Sequence, residues 1–226
     1  MKRLLIILLL AITGYAYAQK TETRNVGAFS GIKVQTAIDV YLKKGTKESV
    51  NVVVSGNIDP KNVVTEVSGG TLKVSLDHGS YNNVDIKVYV TYVEIDKLMV
   101  NSAANIFSEN IIKCSKLYLS AISSGTIDIQ VEVDQLEASA GSAGDIELKG
   151  KAGTAVIEAV TAGEVDAYEM IANTVTVKAV TAGSAKVNVV KDIEAKATTG
   201  GDIRYRGNPE RSNTSASTGG SVKKSN

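Results

Sequence analysis

A glycine recurs about every nineteen residues through the second half of the chain. The recurring residues are Gly125, Gly144, Gly163, Gly183, Gly201 and Gly220. An alanine lies four positions before each of these glycines, and a serine or threonine lies two positions before each. Self-similarity at a fixed period is the signature of a repeat architecture, in which each unit stacks on the next. This period therefore constrains the fold more than any local feature of the sequence.

Alternation of apolar and polar residues on both sides of each glycine predicts β-strands. Val175, Val177 and Ala179 precede one glycine, and Ala185 and Val187 follow it. A period of two is that of a strand rather than a helix. At about 3.3 Å per residue, about 19 residues form one turn of a coil whose turns pair in parallel about 4.8 Å apart. The sequence predicts an all-β fold: a single-stranded parallel β-helix.

In such a coil the repeated letters form columns. We expect the alanines to point inward, where the coil is too narrow for a larger side chain. By parity the Ser/Thr column is expected on the same side, passing hydrogen bonds along the stack. The glycines are expected either to adopt a corner conformation or to allow a close backbone approach.

The chain divides into four predicted segments. Residues 1–18 have a basic start, an apolar run and the small-residue site Ala16-Tyr17-Ala18, which is typical of a secretory signal peptide. Residues 19–97 alternate without the repeat and are predicted to cap the solenoid. Residues 98–222 form its rungs and residues 223–226 a basic tail, so that residues 19–226 make one structural domain. We expect an exported protein without a transmembrane segment, located in the periplasm, on the outer-membrane surface or outside the cell.

The charge balance and the few reactive side chains exclude several classes of function. The chain has 25 basic and 24 acidic residues, and this balance argues against nucleic acid as a partner. Cys114 is the only cysteine and is expected to be a small, partly buried apolar residue, whereas the single histidine, His78, is expected in a solvated turn. No catalytic set, nucleotide-binding motif or metal-ligand spacing is present. We therefore predict no enzyme, no catalytic residues and no organic cofactor.

One group of carboxylates follows from the register of the repeat. The residues one and three positions after successive glycines include Asp128, Asp145, Glu147, Glu164 and Asp166. Stacked carboxylates repel, and a hard cation relieves that repulsion, so these five residues are a candidate Ca²⁺ site. The alternative is a solvated acidic face compensated by Lys186 and Arg204. In that case Asp166 faces Lys186 and Glu158 faces Lys178.

Several segments together resemble a known family. They are residues 28–34 (AFSGIKV), 39–42 (DVYL), 69–74 (GGTLKV), 86–90 (IKVYV) and 98–105 (LMVNSAAN). In order and spacing they resemble the putative auto-transporter adhesin, head GIN domain family, over roughly residues 26–224. The resemblance implies an exported protein of a Gram-negative envelope with a right-handed β-helix fold. It also implies surface attachment, with no ligand or catalytic residue to carry over.

The leading prediction is a non-enzymatic, adhesin-like envelope or surface protein that binds a surface polymer or another protein. One alternative is a lyase-like carbohydrate-active β-helix enzyme, in which Lys186 or Arg204 abstracts a proton. A second alternative is a structural module that self-associates through its open C-terminal rung, at residues 214–222.

Overall fold

The computed structural model describes residues 19–225, so the predicted signal peptide lies outside the described residues. The strands are β1 (Lys20–Arg24), β2 (Gly31–Gln35), β3 (Asp39–Lys44), β4 (Ser49–Ser55), β5 (Val63–Ser68), β6 (Thr71–Leu76), β7 (Asp85–Tyr92), β8 (Lys97–Asn101), β9 (Asn105–Ser108), β10 (Ile112–Ile122), β11 (Thr126–Gly141), β12 (Asp145–Val160), β13 (Glu164–Val180), β14 (Ser184–Thr198), β15 (Asp202–Arg206), β16 (Arg211–Ser217) and β17 (Ser221–Lys224). Within this part of the chain the only helical element is a 3₁₀ turn at Pro60–Asn62. The strands form a β-solenoid of about 7 turns with about 19 residues per turn, which confirms the predicted fold.

Equivalent positions of the repeat lie directly above one another. In the parallel pairings between β10, β11, β12 and β13, Ala140 is the partner of Ala121, Ala159 that of Ala140, and Ala179 that of Ala159. These four alanines are fully buried, so the prediction of an inward alanine column is confirmed for them. Ala216, in the last turn, is exposed because no further turn covers it.

The hydroxyl column is exposed, so its predicted inward placement is wrong. Thr161 and Ala162 have φ values of 49° and 59°, and the N–H of Gly163 donates to the carbonyl of Val160. Two consecutive left-handed residues closed by this hydrogen bond make a type I′ turn, which reverses the strand alternation and turns Thr161 outward. Within the stack the turns are joined through the backbone, because Ala162 N–H donates to Thr181 O at 3.1 Å.

The recurring glycines are required by a close approach and not by their own φ. A Cβ on Gly163 would lie 2.3 Å from the carbonyl oxygen of Ala140, and one on Gly183 would lie 2.1 Å from that of Ala159. Both oxygens belong to the neighbouring turn of the coil. Of the two roles predicted for the glycines, the structure therefore selects the close backbone approach.

Parallel stacking extends into the N-terminal half, although the repeated letters do not. β2 pairs in parallel with both β6 and β8, and β3 does so with both β7 and β9. Val74, Val34 and Val100 continue the alanine column, since Val100 is the partner of Ala121. The turn made by β2 and β3 thus lies between two turns that follow it in the chain. Residues 93–96, which link β7 to β8, cross this intervening turn.

The two ends of the solenoid differ. At the N-terminal end, β5 pairs antiparallel with β6, β4 with β7, and β1 with β4, so antiparallel strands cover the outermost parallel turn. At the C-terminal end, β16 pairs with β14 and β17 with β15. Lys223 and Lys224, assigned above to a basic tail, continue the coil as part of β17.

The corner geometry predicts opposite effects for two adjacent substitutions. Ala162→Gly is expected to stabilise the protein by up to about 1 kcal/mol, because glycine adopts a positive φ without the steric cost of a Cβ. Gly163→Ala is expected to destabilise it by about 1–3 kcal/mol, because the new methyl meets the Ala140 carbonyl of the adjacent turn. Urea unfolding monitored by circular dichroism measures both. Equal effects of the two substitutions would contradict this account of the corner.

Candidate binding groove

A cavity of about 530 Å³ lies where residues 93–96 cross the intervening turn. It is lined by Ser30, Lys44, residues 92–96 and residues 113–116. We call this set of residues the corner groove. A shallower depression on one side shares Ser30, Val93 and Glu94 with it, and another on the other side shares residues 113–115. The corner groove therefore has adjoining depressions that share part of its lining.

The lining of the groove mixes polar and apolar residues and carries charges of both signs. The ammonium of Lys113 lies 2.6 Å from Glu132, and that of Lys116 lies 3.1 Å from Glu137. Glu94 and Asp96 on the crossing segment add two carboxylates to the lining, and Lys44 adds an ammonium group. Such a lining suits a hydrophilic ligand with hydrogen-bonding groups more than an apolar one.

Tyr92 contributes a buried hydroxyl that has no partner. The residue is 2% exposed, and among the described residues no hydrogen bond reaches its hydroxyl oxygen. Burial, with a smaller contribution from Cys114, raises the pKa of Tyr92, so the hydroxyl keeps its proton and can donate. A buried polar group without a partner costs about 1–3 kcal/mol, so its presence in a cavity wall calls for an explanation.

Cys114 lies in the same wall and is partly buried, as expected from the sequence. Its thiol donates weakly to the carbonyl of Lys116, with a sulfur–oxygen distance of 3.4 Å. Burial is the main cause that raises the pKa of Cys114, and Asp96 and Asp134 act in the same direction. The thiol is therefore protonated at neutral pH and is a poor nucleophile.

The five predicted carboxylates lie on neighbouring turns, in the register that the sequence predicted. Asp128 pairs with Glu147, Glu147 with Asp166, and Asp145 with Glu164. We call these five residues the acidic strip. The predicted charge pairs are also confirmed: Lys186 Nζ lies 2.9 Å from Asp166, and Lys178 Nζ lies 3.0 Å from Glu158.

Lysine side chains neutralise much of the acidic strip. Lys186 also lies 3.1 Å from Glu164 and so bridges two of the five carboxylates, while Lys149 lies 2.8 Å from Glu147. Within residues 19–225 no group of three or more His, Cys, Asp or Glu side chains is arranged to hold a metal ion. The Ca²⁺ site remains a prediction, and a bound cation would have to compete with these lysines for the carboxylates.

The residues considered for enzymatic chemistry are engaged elsewhere or exposed. Hydrogen bonds to Asp166 and Glu164 raise the pKa of Lys186, which keeps it protonated and unsuited to act as a base. Arg204 is paired with Asp202 at 3.0 Å. His78 lies in an exposed bend, as predicted. None of these three residues lines the corner groove.

A short aromatic stack lies next to the acidic strip. Tyr41 stacks between Tyr89 and Phe107, with ring centroids 5.3 and 5.2 Å apart. The rings belong to three adjacent turns, and Phe107 is the partner of Asp128. Because the stacked rings cover one another's faces, it is mainly the ring edges that a ligand could contact. The stack therefore stabilises the outer face of the coil more than it offers a platform for sugars.

The sequence matches the family model of the putative auto-transporter adhesin, head GIN domain, over residues 28–209. The chain belongs to this family. No protein with a curated description matches the sequence.

Solved structures share the fold. A putative adhesin from Bacteroides fragilis is 22% identical and superposes with a TM-score of 0.84 over 92% of this chain and 97% of its own. A putative lipid binding protein from Parabacteroides distasonis is 20% identical, with a TM-score of 0.70 over 94% and 98% of the two chains. A putative adhesin from Parabacteroides merdae is 19% identical, with a TM-score of 0.69 over 94% and 98%. At these identities the likeness establishes the fold alone.

The acidic strip yields a pH-dependent prediction. Although Asp145 is exposed as a whole, partial desolvation of its carboxyl first, and then the charges of Glu164, Glu147 and Asp166, raise its pKa, while Lys186 opposes them. A raised carboxyl pKa means that the ionised form destabilises the fold above that pKa. Asp145→Asn is therefore expected to stabilise the protein at neutral pH by less than about 1 kcal/mol, because the strip is partly solvated. The gain should vanish as the pH falls through the pKa of Asp145.

Thermal melts of both proteins across this pH range measure the effect. The same melts with millimolar Ca²⁺ test the alternative, in which the acidic strip is a Ca²⁺ site. If the acidic strip binds the cation, Ca²⁺ will stabilise the wild type more than Asp145→Asn and so reverse the order of the two proteins.

Proposed function

We propose that this protein is an exported, non-enzymatic, adhesin-like binding protein that holds an extended hydrophilic ligand in the corner groove. The family is named for adhesion, and the N-terminal sequence has the pattern of a signal peptide. Among the described residues no helix is long and apolar enough to cross a membrane. The depressions that adjoin the corner groove leave room for a ligand longer than the groove itself.

The unpartnered Tyr92 hydroxyl is the observation that carries this proposal. A tyrosine buried for packing alone would be served as well by phenylalanine, which avoids the desolvation cost of the hydroxyl. The Tyr92 hydroxyl is closed off from solvent in the unbound protein, so a ligand reaches it only when the groove lining shifts, after which it can donate to a ligand oxygen. Ligand binding would then satisfy a group that costs free energy in the unbound protein.

A polysaccharide is the ligand class that this lining fits best. Sugar hydroxyls both donate and accept hydrogen bonds, and the residues that line the groove include carboxylates, ammonium groups and hydroxyls. One structural neighbour is named a lipid binding protein, but the corner groove lacks the continuous apolar walls that acyl chains require. A lipid ligand therefore matches this groove less well than a polysaccharide.

The proposal predicts that Tyr92→Phe separates stability from binding. The substitution removes the unpartnered hydroxyl, so we expect the melting temperature to rise or stay unchanged. Binding is measured by applying the mature chain to an array of immobilised polysaccharides and extracellular proteins. The affinity for polysaccharide should fall about 5- to 10-fold, which corresponds to the free energy of one hydrogen bond. Tyr89→Phe is the matched control, since Tyr89 lies outside the groove and its hydroxyl is not enclosed.

A second pair of variants tests the charges of the groove. Lys44→Ala should weaken binding of the same polysaccharide, whereas Lys178→Ala, which removes a lysine outside the groove, should not. Binding that responds equally to both lysines would place the ligand elsewhere. A response only to extracellular proteins would overturn the polysaccharide class while retaining the groove.

A further inference from the structure

β16 leaves a free hydrogen-bonding edge at the C-terminal end of the solenoid. Within residues 19–225 it pairs only with β14, and all seven of its residues are exposed. Free strand edges pair with other chains unless charges, prolines or bulges prevent it. From Ser212 to Ser217 the strand contains no charged residue and no proline. β16 is therefore an open template for another strand.

The opposite end of the molecule shows how this fold blocks an edge. The guanidinium of Arg24 donates to the carbonyl of Val63 at 2.5 Å, to Thr65 Oγ1 at 2.9 Å and to the carbonyl of Pro60 at 2.7 Å. Glu22 holds this arginine in place at 3.1 Å. A charged side chain thus occupies the first backbone acceptor of β5, at Val63, and one just before the strand, at Pro60. Nothing comparable covers β16 in the described part of the chain.

We propose that β16 pairs antiparallel with β16 of a second copy of this chain, about a two-fold axis at Thr214. In this register Thr214 faces Thr214 of the second copy, Asn213 faces Ser215, and Ser212 faces Ala216. Arg211 faces Ser217 and keeps its ion pair with Asp192. No like charges oppose one another, and Thr–Thr pairs across antiparallel strands are favourable.

The alternation of inward and outward side chains along β16 limits which residues of the two copies can face each other. Ser212, Thr214 and Ala216 follow the inward column, because they are the partners of Ile193, Ala195 and Ala197 in β14. Ile193, Ala195 and Ala197 are already buried beneath β16, so pairing of inward residues with inward residues covers the exposed inward side chains of β16 itself. A slip by one residue would turn the inward side chains of one copy outward, so the core disfavours it. The strand edge therefore supplies the main interaction, through its backbone hydrogen bonds, and Ala216 of each copy adds a small apolar contact.

β17 is less suited to the same role. It ends in Lys223 and Lys224, and lysines on an edge strand discourage pairing with another chain. β16, whose one charged residue is Arg211 in its ion pair with Asp192, is therefore the strand that makes the contact.

Charge pairs placed across the proposed axis test the register. Asn213→Lys with Ser215→Glu puts opposite charges against each other twice at the interface, whereas Asn213→Lys with Ser215→Lys puts like charges there. Both positions are exposed in the single chain. Sedimentation equilibrium should give a dimer dissociation constant about tenfold lower for the first variant than for the second. Thermal melts of both variants show whether each is folded.

Crosslinking gives an independent measurement. In a Cys114→Ser background, Thr214→Cys should form a disulfide-linked dimer under mild oxidation, because the two substituted residues meet at the axis. Thr199→Cys, on an exposed corner of the preceding turn, is the control and should crosslink far less.

Three results would overturn the proposal. They are a wild-type protein that stays monomeric up to about 1 mM, two charge variants that associate equally, and a Thr214→Cys dimer no more abundant than the control. The first result would mean that any partner of the β16 edge is a strand of a different protein. None of them bears on polysaccharide binding, which depends on a groove at the other end of the coil.

Discussion

The approach of neighbouring turns at the corners is the constraint on which the rest of the structure depends. Parallel ladders require every turn to lie at the spacing of hydrogen-bonded strands, including at the points where the chain changes direction. At those points the backbone of one turn meets a carbonyl of the next, as Gly163 meets Ala140. At the corners of the repeated turns only a residue without a Cβ fits, whereas in the first turns Ala104 and Ile38 occupy the equivalent position. The left-handed residues before each glycine then reverse the chain, and their own amides continue the ladder past the corner.

A ladder of this kind satisfies every backbone group except at its two ends, and the ends therefore carry the remaining structural problem. The N-terminal end is closed by changing strand direction, since β4 and β5 run antiparallel to the last parallel strands. That solution requires the chain to leave the coil after β3, build the cover and return. The return passes over the turn of β2 and β3 along residues 93–96. The corner groove is a direct consequence of this route.

The repeated part of the fold could be predicted because each column there is filled by the same kind of residue. The alanine column and the ion pairs of Lys178 and Lys186 follow from counting alone. In the first turns valines fill the same column, so the letters change while the register continues, and counting does not detect it. The inward hydroxyls were predicted wrongly, because parity counting assumes a continuous strand and the two left-handed residues at each corner break it. Tyr92 and Lys44 had no signal in the sequence, since chain order does not reveal which turn lies between which.

The contrast between the acidic strip and the corner groove shows why binding is expected at the irregular site. Along the regular face, each charged residue has equivalent positions above and below it, and lysines fill those positions beside the carboxylates. Regular stacking thus satisfies polar groups internally and leaves little for a ligand. At the crossing, residues from non-equivalent positions meet, and the register supplies no partner for the Tyr92 hydroxyl. A group that the repeat cannot satisfy is the group for which an external partner gains the most.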